Sequence, residues 1–550
     1  MAEPIAIELA KKQREISVAD FFAKNRHLLG FDNKRKALLT TIKEAVDNSL
    51  DACEEAGILP EVAIELVEMG VDRFKVIVED NGPGIVKAQI PKVFAKLLYG
   101  SKFFKLSQSR GQQGIGISAS AMYGQLTTGK PAKITSRISP QHPAYYCEVL
   151  IDTHQNKPEI VKESEVEWHR EHGTRVEIDL EGTYQKGPQS VDEYLKQTAI
   201  VNPHVMIIYT NPKAEQIIFP RVSETLPPKP QEIKLHPYGV ELGVLISMLK
   251  MTPSRTLQAF LTQEFSRIGP GTAKEMCEKA AMLPNMHPNK VSRELAEKLL
   301  KAMQETKVIA PPTDCIVPIG ADLLERGLRK EVNAEFYISA SRPPAVYRGN
   351  PFAIEAAIAY GGELPGDGQV RILRFANRVP LLYQQGACGI TEAIQDTNWK
   401  AYNVQQSGSS LPQGPVVILV HMASVWVPFT SESKEALAHY PEIIKEIKLA
   451  LQECGRELDR YLSKKHRVGE ELKKRGYIEK YIPHIGIALK EILKLSDAEQ
   501  ARIEKVLEEM LEKHRGKLDD MEFDPEKNLE FDKEFAKIGS EEDDTDQKNH

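Results

Sequence analysis

A polar run near the amino terminus, Glu44-Ala-Val-Asp-Asn48-Ser-Leu-Asp51, combines residue types that could do chemistry at one site. Glu44, Asn48 and Asp51 stand at i, i+4 and i+7, which places them on one face of a helix. A carboxylate one turn away from a carboxamide suits a base that activates water beside a ligand for a hard cation. Solvated helix faces carry the same residue types, so the spacing by itself leaves a structural interpretation open.

A second run, Glu79-Asp80-Asn-Gly-Pro-Gly84, follows a segment that alternates like a strand. The sheet would fix Asp80 and leave it open to a ligand, and the two glycines would let the backbone come close to that ligand. A plain turn uses the same residues, because Asn, Gly and Pro are strong turn formers. This run therefore supports either a binding role or a structural one.

A third run is rich in glycine and leads into an apolar segment. Backbone amides at the start of a helix form an anion site, because their N–H groups and the helix dipole point outward. Ser101 and Lys102, a few residues upstream, could add a hydroxyl and a cation. A lone glycine motif is often structural, so this run has weight only beside the other two. Its members are Gly111, Gln112, Gln113, Gly114, Ile115, Gly116, Ile117 and Ser118.

The elements that must position these runs are a helix and a sheet. Apolar residues from position 38 to position 53 recur at three- and four-residue steps, which predicts an amphipathic helix over 35–56. Asp32 or Asn33 could cap its start, and Gly57 stands where it would end. A sheet covered on one face by helices is expected to follow. Strands are predicted at 73–79, 132–138, 145–151, 174–180 and 205–209, and a helix at 90–99.

Two proline-rich breaks divide the rest of the chain. The first, at 226–230, precedes a mostly helical stretch over 231–308, and the second falls at 310–313. Beyond it, strands are predicted at 335–339, 369–375 and 416–421, and a helix at 352–359. Helices at 442–464 and 498–513 lead into an acidic tail.

Composition sets the broad class of the protein. At 550 residues and 61.7 kDa the chain is long enough for three or four domains. The net charge is −6, but the tail at 519–550 carries −9 and the remainder +3, so charge neither predicts nor excludes a nucleic-acid partner. The six cysteines have no C-x-x-C spacing, which argues against a zinc or thioredoxin-like centre. Without a bilayer-spanning run or a signal-like start, a cytoplasmic protein with no membrane contact is expected.

The motifs, taken in order, resemble those of the GHKL ATPases, which include gyrase-type topoisomerases, mismatch-repair ATPases, chaperones and histidine kinases. The matching boxes are E-x-x-x-N-x-x-D at 44–51, D-x-G-x-G at 80–84, G-x-x-G-x-G at 111–116 and Gly173-Thr174 before a strand. Segments 15–32, 374–383 and 424–434 are further similar to the B subunits of archaeal topoisomerase VI, a type IIB DNA topoisomerase. The resemblance covers about residues 10–470.

The resemblance implies roles for residues at the first two boxes. Glu44 would be the general base that orients the attacking water, and Asn48 would bind a Mg²⁺ ion bridging the phosphates of ATP. Asp80 would accept a hydrogen bond from the adenine amino group, with Thr174 supporting it and Gly84 beside the nucleotide. Asp51 fits the box but could equally be structural.

The resemblance also implies a cover and a sensor for the phosphates. The run from Gly111 to Ser118 would wrap them as a lid, with Ser101 and Lys102 nearby. Lys434, in Thr430-Ser-Glu-Ser-Lys434-Glu, would reach the γ-phosphate from a later domain. Loss of that phosphate would remove the contact and free one domain relative to the other.

An α+β architecture of four parts is what the resemblance implies for the fold. A GHKL (Bergerat) α/β sandwich with an amino-terminal strap would occupy 1–228, and a small helix-two-turn-helix domain 229–308. An α/β transducer domain would occupy 309–470, and a helical extension with the acidic tail 471–550.

The partners implied by the resemblance are DNA and further subunits. ATP would close two copies into a dimer that traps double-stranded DNA, drives strand passage and relaxes supercoils. Cleavage would belong to a separate topoisomerase VI A subunit in an A2B2 heterotetramer, because D-x-D occurs only in the acidic tail and no acidic metal site for cutting is evident. An ATP-gated clamp or chaperone-like GHKL protein with little turnover is the alternative. A histidine kinase is disfavoured, because no long dimerising helix follows His27.

Two basic segments are candidates for contact with DNA. The first joins two predicted helices around Arg267 and Lys274 and resembles a helix-two-turn-helix module, which could grip phosphates without reading sequence. The second comprises 464–467 and 473–475. A packed helical spacer and a solvated helix face are the corresponding structural interpretations.

Overall fold

The computed structural model describes residues 5–13, 15–101, 105–111, 114–431 and 433–515. The expectations for Lys102, Gln112, Gln113 and the acidic tail lie outside the described residues. Within the described ranges the helices are α1 (Ile5–Lys12), α2 (Val18–Lys24), α3 (Lys34–Ala56), α4 (Ile90–Ala95), α5 (Gly116–Thr128), α6 (Val191–Val201), α7 (Leu242–Met251), α8 (Leu257–Glu264), α9 (Pro270–Lys279), α10 (Arg293–Glu305), α11 (Ala321–Glu331), α12 (Gly389–Gln395), α13 (Pro441–Leu493) and α14 (Asp497–Arg515).

The first sheet lies in the amino-terminal part of the chain. Its strands are β1 (Glu61–Gly70), β2 (Arg73–Asp80), β3 (Ala132–Arg137), β4 (Ala144–Asp152), β5 (Lys157–Val166), β6 (Gly173–Glu181), β7 (Met206–Thr210) and β8 (Gln216–Phe219). They are ordered β5-β4-β3-β6-β2-β1-β7-β8, and β1 and β7 are parallel while the other neighbours are antiparallel. Along β3 and β4 buried and partly exposed residues alternate, as they do when helices cover one face.

A small helical unit follows the first sheet. Helices α7 to α10 pack around their own apolar cluster, which includes Leu245, Phe260, Met276 and Leu299. This cluster does not share its buried residues with the cores of the two sheets. The described residues 235–308 therefore form a separately packed element.

The second sheet lies in the carboxy-terminal half. Its strands are β9 (Phe336–Ser341), β10 (Ala345–Tyr347), β11 (Asn350–Tyr360), β12 (Arg371–Ala376), β13 (Val379–Pro380) and β14 (Val416–Ser424). They are ordered β10-β11-β14-β12-β13, and β9 also pairs with β11. Helices α11 and α13 both pack on this sheet.

The expectation of a helix at 352–359 is wrong, because this segment is the central strand β11. Nearly every residue of β11 is buried, so both of its faces are apolar and no two-residue alternation marks it. A continuous apolar run of this length does not distinguish a buried strand from a buried helix.

The two sheets are joined by close packing between α6 and α11. A Cβ atom on Gly327 would lie 2.1 Å from the carbonyl oxygen of Ile200, so only glycine allows the helices to approach this closely. Around this point Ile200 and Val201 share an apolar cluster with Leu324 and Leu328. The elements that carry the two halves are thus in direct contact.

The last two helices form a long hairpin. Helix α13 begins at Pro441, as expected, but extends to Leu493, well beyond the predicted end near 464. Its outer half packs against α14 rather than against the sheet. Among the described residues, no helix combines the length and the apolar character needed to cross a membrane.

Candidate functional site

Helix α3 positions the first box of polar residues. The side chain of Asn33 caps its start by accepting from the Lys36 N–H (2.9 Å), and Gly57 ends it in a left-handed conformation. Leu38, Ile42, Val46 and Leu50 are buried against the sheet. The opposite face therefore turns Glu44 and Asn48 away from the core.

That face borders a cavity of about 550 Å³. Its walls come from α3, the end of β2, the start of α5, strand β6 and a loop that precedes α13. Glu44, Asn48, Asp80, Gly84, Ser101, Gly111, Gly114, Ile115, Gly116, Ile117, Thr174 and Lys434 line it. Residues from across the sequence thus meet at one concave site, which is the usual setting for a small-molecule ligand.

Asp80 forms one end of the cavity and is held by three donors. Its Oδ1 accepts from the Gly82 N–H (2.9 Å) and the Thr174 N–H (3.1 Å), and its Oδ2 accepts from the Ser49 hydroxyl (2.8 Å). Burial raises the pKa of Asp80, and these hydrogen bonds oppose that rise. The carboxylate is fixed in orientation and retains acceptor capacity on Oδ2 for a ligand donor.

The glycines of the second box shape the turn beside Asp80. Gly84 has φ +72°, and a Cβ atom there would lie 2.1 Å from the carbonyl oxygen of Arg137. Ser136 completes the turn by accepting from the Ile85 N–H (2.8 Å). The backbone can therefore fold tightly over the sheet and leave the cavity open.

The start of α5 forms another part of the cavity wall. No side chain caps this helix, and the residues around its first turn line the cavity. A Cβ atom on Gly116 would lie only 1.7 Å from Oε2 of Glu44, so glycine is what lets the carboxylate rest against the helix start. The positive end of the helix dipole favours an anion at this place.

Lys434 enters the same cavity from the loop between β14 and α13. Its Nζ donates to the carbonyl oxygen of Arg110 (3.0 Å), directly before Gly111. Its backbone has φ +54°, an uncommon conformation for a residue with a side chain. A lysine from the second sheet thus contacts the glycine-rich wall of a cavity built on the first sheet.

The loop that carries Lys434 is fastened to α3. Glu435 forms an ion pair with Lys36 and accepts a hydrogen bond from Gln384 Nε2 (2.7 Å). The side chains of Lys36 and Glu435 are 12% and 6% exposed, so little solvent screens the pair. This pair holds the loop beside the cavity.

Some residues that line the cavity carry no signal in the sequence. Lys43 precedes Glu44, and burial lowers its pKa, although Glu44 and Asp47 oppose that fall. Thr40, Ser49 and Ser433 add hydroxyl groups to the walls. Only their places next to the boxes could have suggested them, because single lysines and hydroxyls are common on helix surfaces.

Asp51 and Ser118 lie away from the cavity wall. Asp51 is buried and accepts from Arg110 Nη1 (2.8 Å), so it belongs to an ion pair beneath the site. Ser118 is 1% exposed, and its hydroxyl donates to the Ile115 carbonyl (2.9 Å). The sequence predicts that Asp51 shares a helix face with Glu44 and Asn48. In the structure, of these three only Glu44 and Asn48 line the cavity, and Asp51 points into the interior.

The oxygen atoms that the protein offers at the cavity suit a cation that binds together with a phosphate ligand. Among the described residues no group of three or more His, Cys, Asp or Glu side chains could hold a metal by itself. Asn48 is exposed to the cavity and offers one amide oxygen. Mg²⁺ is commonly held by one or two protein oxygens together with phosphates and water, so Asn48 fits that ion.

Two parts of the chain match known protein families. Residues 33–182 match the family of histidine kinase-, DNA gyrase B-, and HSP90-like ATPases, and residues 311–474 match the topoisomerase VI B subunit transducer. The B subunit of type 2 DNA topoisomerase 6 from Methanococcoides burtonii is 53% identical over 494 residues, covering 90% of this chain and 79% of that protein. The chain belongs to the topoisomerase VI B-subunit family.

Other members of the family are similarly close. The corresponding B subunit of Methanosarcina mazei is 51% identical, and the alignment covers 90% of this chain and 80% of that protein. The B subunit of Archaeoglobus fulgidus is 48% identical, and the alignment covers 90% of this chain and 82% of that protein. As a member of this family, the chain is the ATP-hydrolysing subunit of a type 2 DNA topoisomerase. The α+β fold with a GHKL domain and a transducer is confirmed, and a clamp or chaperone with little turnover is not favoured.

Proposed function

We propose that the cavity binds ATP and that the residues around it hydrolyse its terminal phosphate. The observation that carries this proposal is the meeting of Asp80, Glu44, the start of α5 and Lys434 around one cavity. Asp80 accepts a hydrogen bond from the adenine amino group, and the amides at the start of α5 hold phosphate oxygens. Gly84 and Thr174 shape the adenine end, and Ser101 lies beside the phosphates.

Glu44 acts as the general base in this proposal. Its carboxylate lies against the start of α5, where the phosphates would be held, so it can accept a proton from a water aligned with the terminal phosphate. Lys434 reaches the terminal phosphate from the transducer and balances its charge. Catalysis would rest on positioning and charge neutralisation, without a covalent intermediate.

Asn48 is the proposed magnesium ligand. A Mg²⁺ ion held there would neutralise charge on the phosphate oxygens. Asn48 and Glu44 stand one helical turn apart, so the metal ligand and the base share one rigid element. Asn48 is the chain's own donor, and the remaining ligands would come from the nucleotide and water.

The wider assembly is proposed from the family. ATP would join two copies, with the exposed apolar residues Ile5 (75% exposed) and Leu9 (55%) of α1 packing on the second copy as a strap. The dimer would pass double-stranded DNA through a break made by a topoisomerase VI A subunit, in an A2B2 assembly. This coupling would relax supercoiled DNA.

Two basic surfaces are proposed to contact DNA. Arg267 and Lys274 are exposed beside the start of α9 in the small helical unit. Lys473 and Lys474 are exposed on α13, but Arg475 is only 5% exposed, which removes it from the predicted basic track. Exposed cations of this kind would bind phosphates without reading sequence, and binding should weaken with salt.

Asp80→Asn tests the proposed nucleotide site. The amide cannot accept at every position that the carboxylate uses, so affinity for a non-hydrolysable ATP analogue should fall at least about a hundredfold. Calorimetry measures the affinity. Asp179→Asn is the matched control, because Asp179 is also buried on the first sheet but pairs with Lys130 (3.1 Å) and does not line the cavity. Wild-type affinity in Asp80→Asn would exclude the adenine role.

A further inference from the structure

A short segment links the cavity to the transducer. We call residues 105–111 the bridging segment. It ends at Gly111, which lines the cavity, and the Arg110 carbonyl just before it accepts from Lys434. The position of this segment therefore sets part of the cavity wall.

The transducer side holds the bridging segment through Gln108. The Val317 N–H donates to Gln108 Oε1 (2.6 Å), and Gln108 Nε2 donates back to the Val317 carbonyl (3.3 Å). The Gln108 N–H also donates to the Cys315 carbonyl (2.9 Å). Because Gln108 is only 9% exposed, water competes little for these bonds.

The neighbouring residue adds a second bond to the transducer sheet. Asn377, in the turn between β12 and β13, donates from Nδ2 to the Ser109 carbonyl (3.0 Å). Its Oδ1 accepts from the Ser424 N–H (2.8 Å), so the side chain is fixed by β14. The bridging segment is thus tied to the central strands of the second sheet.

The other side of the segment is tied to α3, which carries Glu44 and Asn48. The Arg110 guanidinium donates to Asp51 (2.8 Å), Glu54 (2.7 Å) and Asn202 (2.6 Å). Its side chain is 3% exposed, so breaking this cluster would leave buried charges unpaired. The segment is therefore held between two rigid elements, one from each half.

We propose that Gln108 is a positioning residue for nucleotide binding. By fixing the bridging segment to the transducer, it makes the placement of Gly111 and of the Arg110 carbonyl depend on the position of the transducer. Nucleotide affinity and transducer position are then linked, and thermodynamic linkage requires the effect to run in both directions. The inference deepens the proposed function and rests on it.

The test replaces Gln108 by methionine, which keeps the length of the side chain but removes both of its hydrogen bonds to Val317. Gln406→Met is the matched control, because Gln406 is 8% exposed and also pairs with backbone groups, accepting from Trp399 N–H (3.2 Å) and donating to the Gln395 carbonyl (2.9 Å). The dissociation constant of a non-hydrolysable ATP analogue, the KM and kcat of ATP hydrolysis, and the thermal midpoint are measured for the full chain.

In Gln108→Met the dissociation constant and the KM should rise about tenfold, while kcat stays within about twofold of wild type. Gln406→Met should lower the thermal midpoint but leave the dissociation constant and the KM unchanged. Unchanged affinity in Gln108→Met, a fall in kcat at constant KM, or equal weakening in both variants would overturn the proposal. If Gln108→Met does not fold, Gln108→Glu, which keeps the acceptor for Val317 N–H, must raise the KM. Binding of the analogue by wild type separately tests the nucleotide site.

Discussion

The position of the Glu44 side chain depends on Gly116, a glycine at the start of α5. The missing side chain of Gly116 lets the carboxylate lie against the start of α5, where the helix dipole and backbone amides would also hold phosphate. The proposed base and the proposed phosphate site are thereby brought next to each other. Any side chain at position 116 would have to displace Glu44 or the helix.

Glu44→Ala should separate binding from hydrolysis. Removal of the base leaves Asp80, α5 and Lys434 in place, so affinity for an ATP analogue should stay within about threefold while turnover falls about a hundredfold or more. Steady-state phosphate release and calorimetry measure the two quantities. Glu55→Ala, at the exposed end of the same helix, should retain wild-type turnover. Undiminished turnover in Glu44→Ala would refute the assignment of the base.

At the scale of elements, the loop between β14 and α13 is held in place by charge. Lys434 has an uncommon backbone conformation, and the next residue, Glu435, pairs with Lys36 of α3. The pair has little exposure to solvent, so salt and water screen its attraction only weakly. The loop is therefore placed beside the cavity by contacts of its own.

Glu435→Gln should weaken the placement of Lys434. The amide loses the charge that attracts Lys36, so turnover should fall about tenfold, which is less than the fall in Lys434→Ala. ATP hydrolysis measured for both variants checks this order. Glu442→Gln, in the exposed first turn of α13, is the control and should behave like wild type. A Glu435→Gln variant with wild-type turnover would show that the loop needs no such pair.

The transducer sheet contains a buried pair that should make its stability depend on pH. Burial lowers the pKa of His421 below its ordinary value of 6.5. His421 Nε2 accepts from the Arg378 N–H (3.0 Å), and Nδ1 faces Glu355 Oε2 (2.8 Å), so the neutral imidazole fits its partners. At His421 the folded state therefore takes up fewer protons than the unfolded state below pH 6.5.

Stability should consequently fall as the pH drops below about 6.5, by at most about 1.4 kcal/mol per pH unit. His421→Gln removes the titrating group but keeps an acceptor and a donor, so the dependence between pH 5.5 and 7.5 should flatten. Urea unfolding at the two pH values measures the difference. If the stability of His421→Gln depended on pH as steeply as that of wild type, other titrating groups would be responsible for the dependence.

At the scale of the whole molecule, two sheets share one site. The GHKL domain supplies the cavity, and the transducer supplies Lys434 and holds the bridging segment. In the proposed function, a change at the terminal phosphate would therefore act on both halves through short contacts. This arrangement suits a protein that converts hydrolysis into domain movement.

Relaxation of supercoiled plasmid tests that conversion. The chain alone should hydrolyse ATP without relaxing DNA, and addition of a topoisomerase VI A subunit should give relaxation that depends on ATP. A non-hydrolysable analogue should not sustain repeated cycles. Gel electrophoresis of plasmid topoisomers measures the outcome. Relaxation by this chain without an A subunit would contradict the division of labour.

Much of the first sheet could be predicted from sequence. Strand β3 alternates apolar and polar residues, and α3 has an apolar stripe with a cap at each end, so local patterns indicate both elements. Strand β11 could not be predicted in this way, because burial on both faces removed its alternation. The length of α13 was also missed, since its outer half packs on another helix and carries no pattern set by the sheet.

The boxes around Glu44, Asp80 and Gly111 could be recognised from the sequence, because spacing along one helix or turn is a local property. Tertiary structure alone decided that Lys434 meets Arg110, 324 positions away in the chain, and that Asp51 serves a buried ion pair. It also decided which unmarked residues, such as Lys43 and Gln108, share the site and its support. Long-range contacts of this kind arise when separate elements pack, and no local pattern encodes which side chains will then be neighbours.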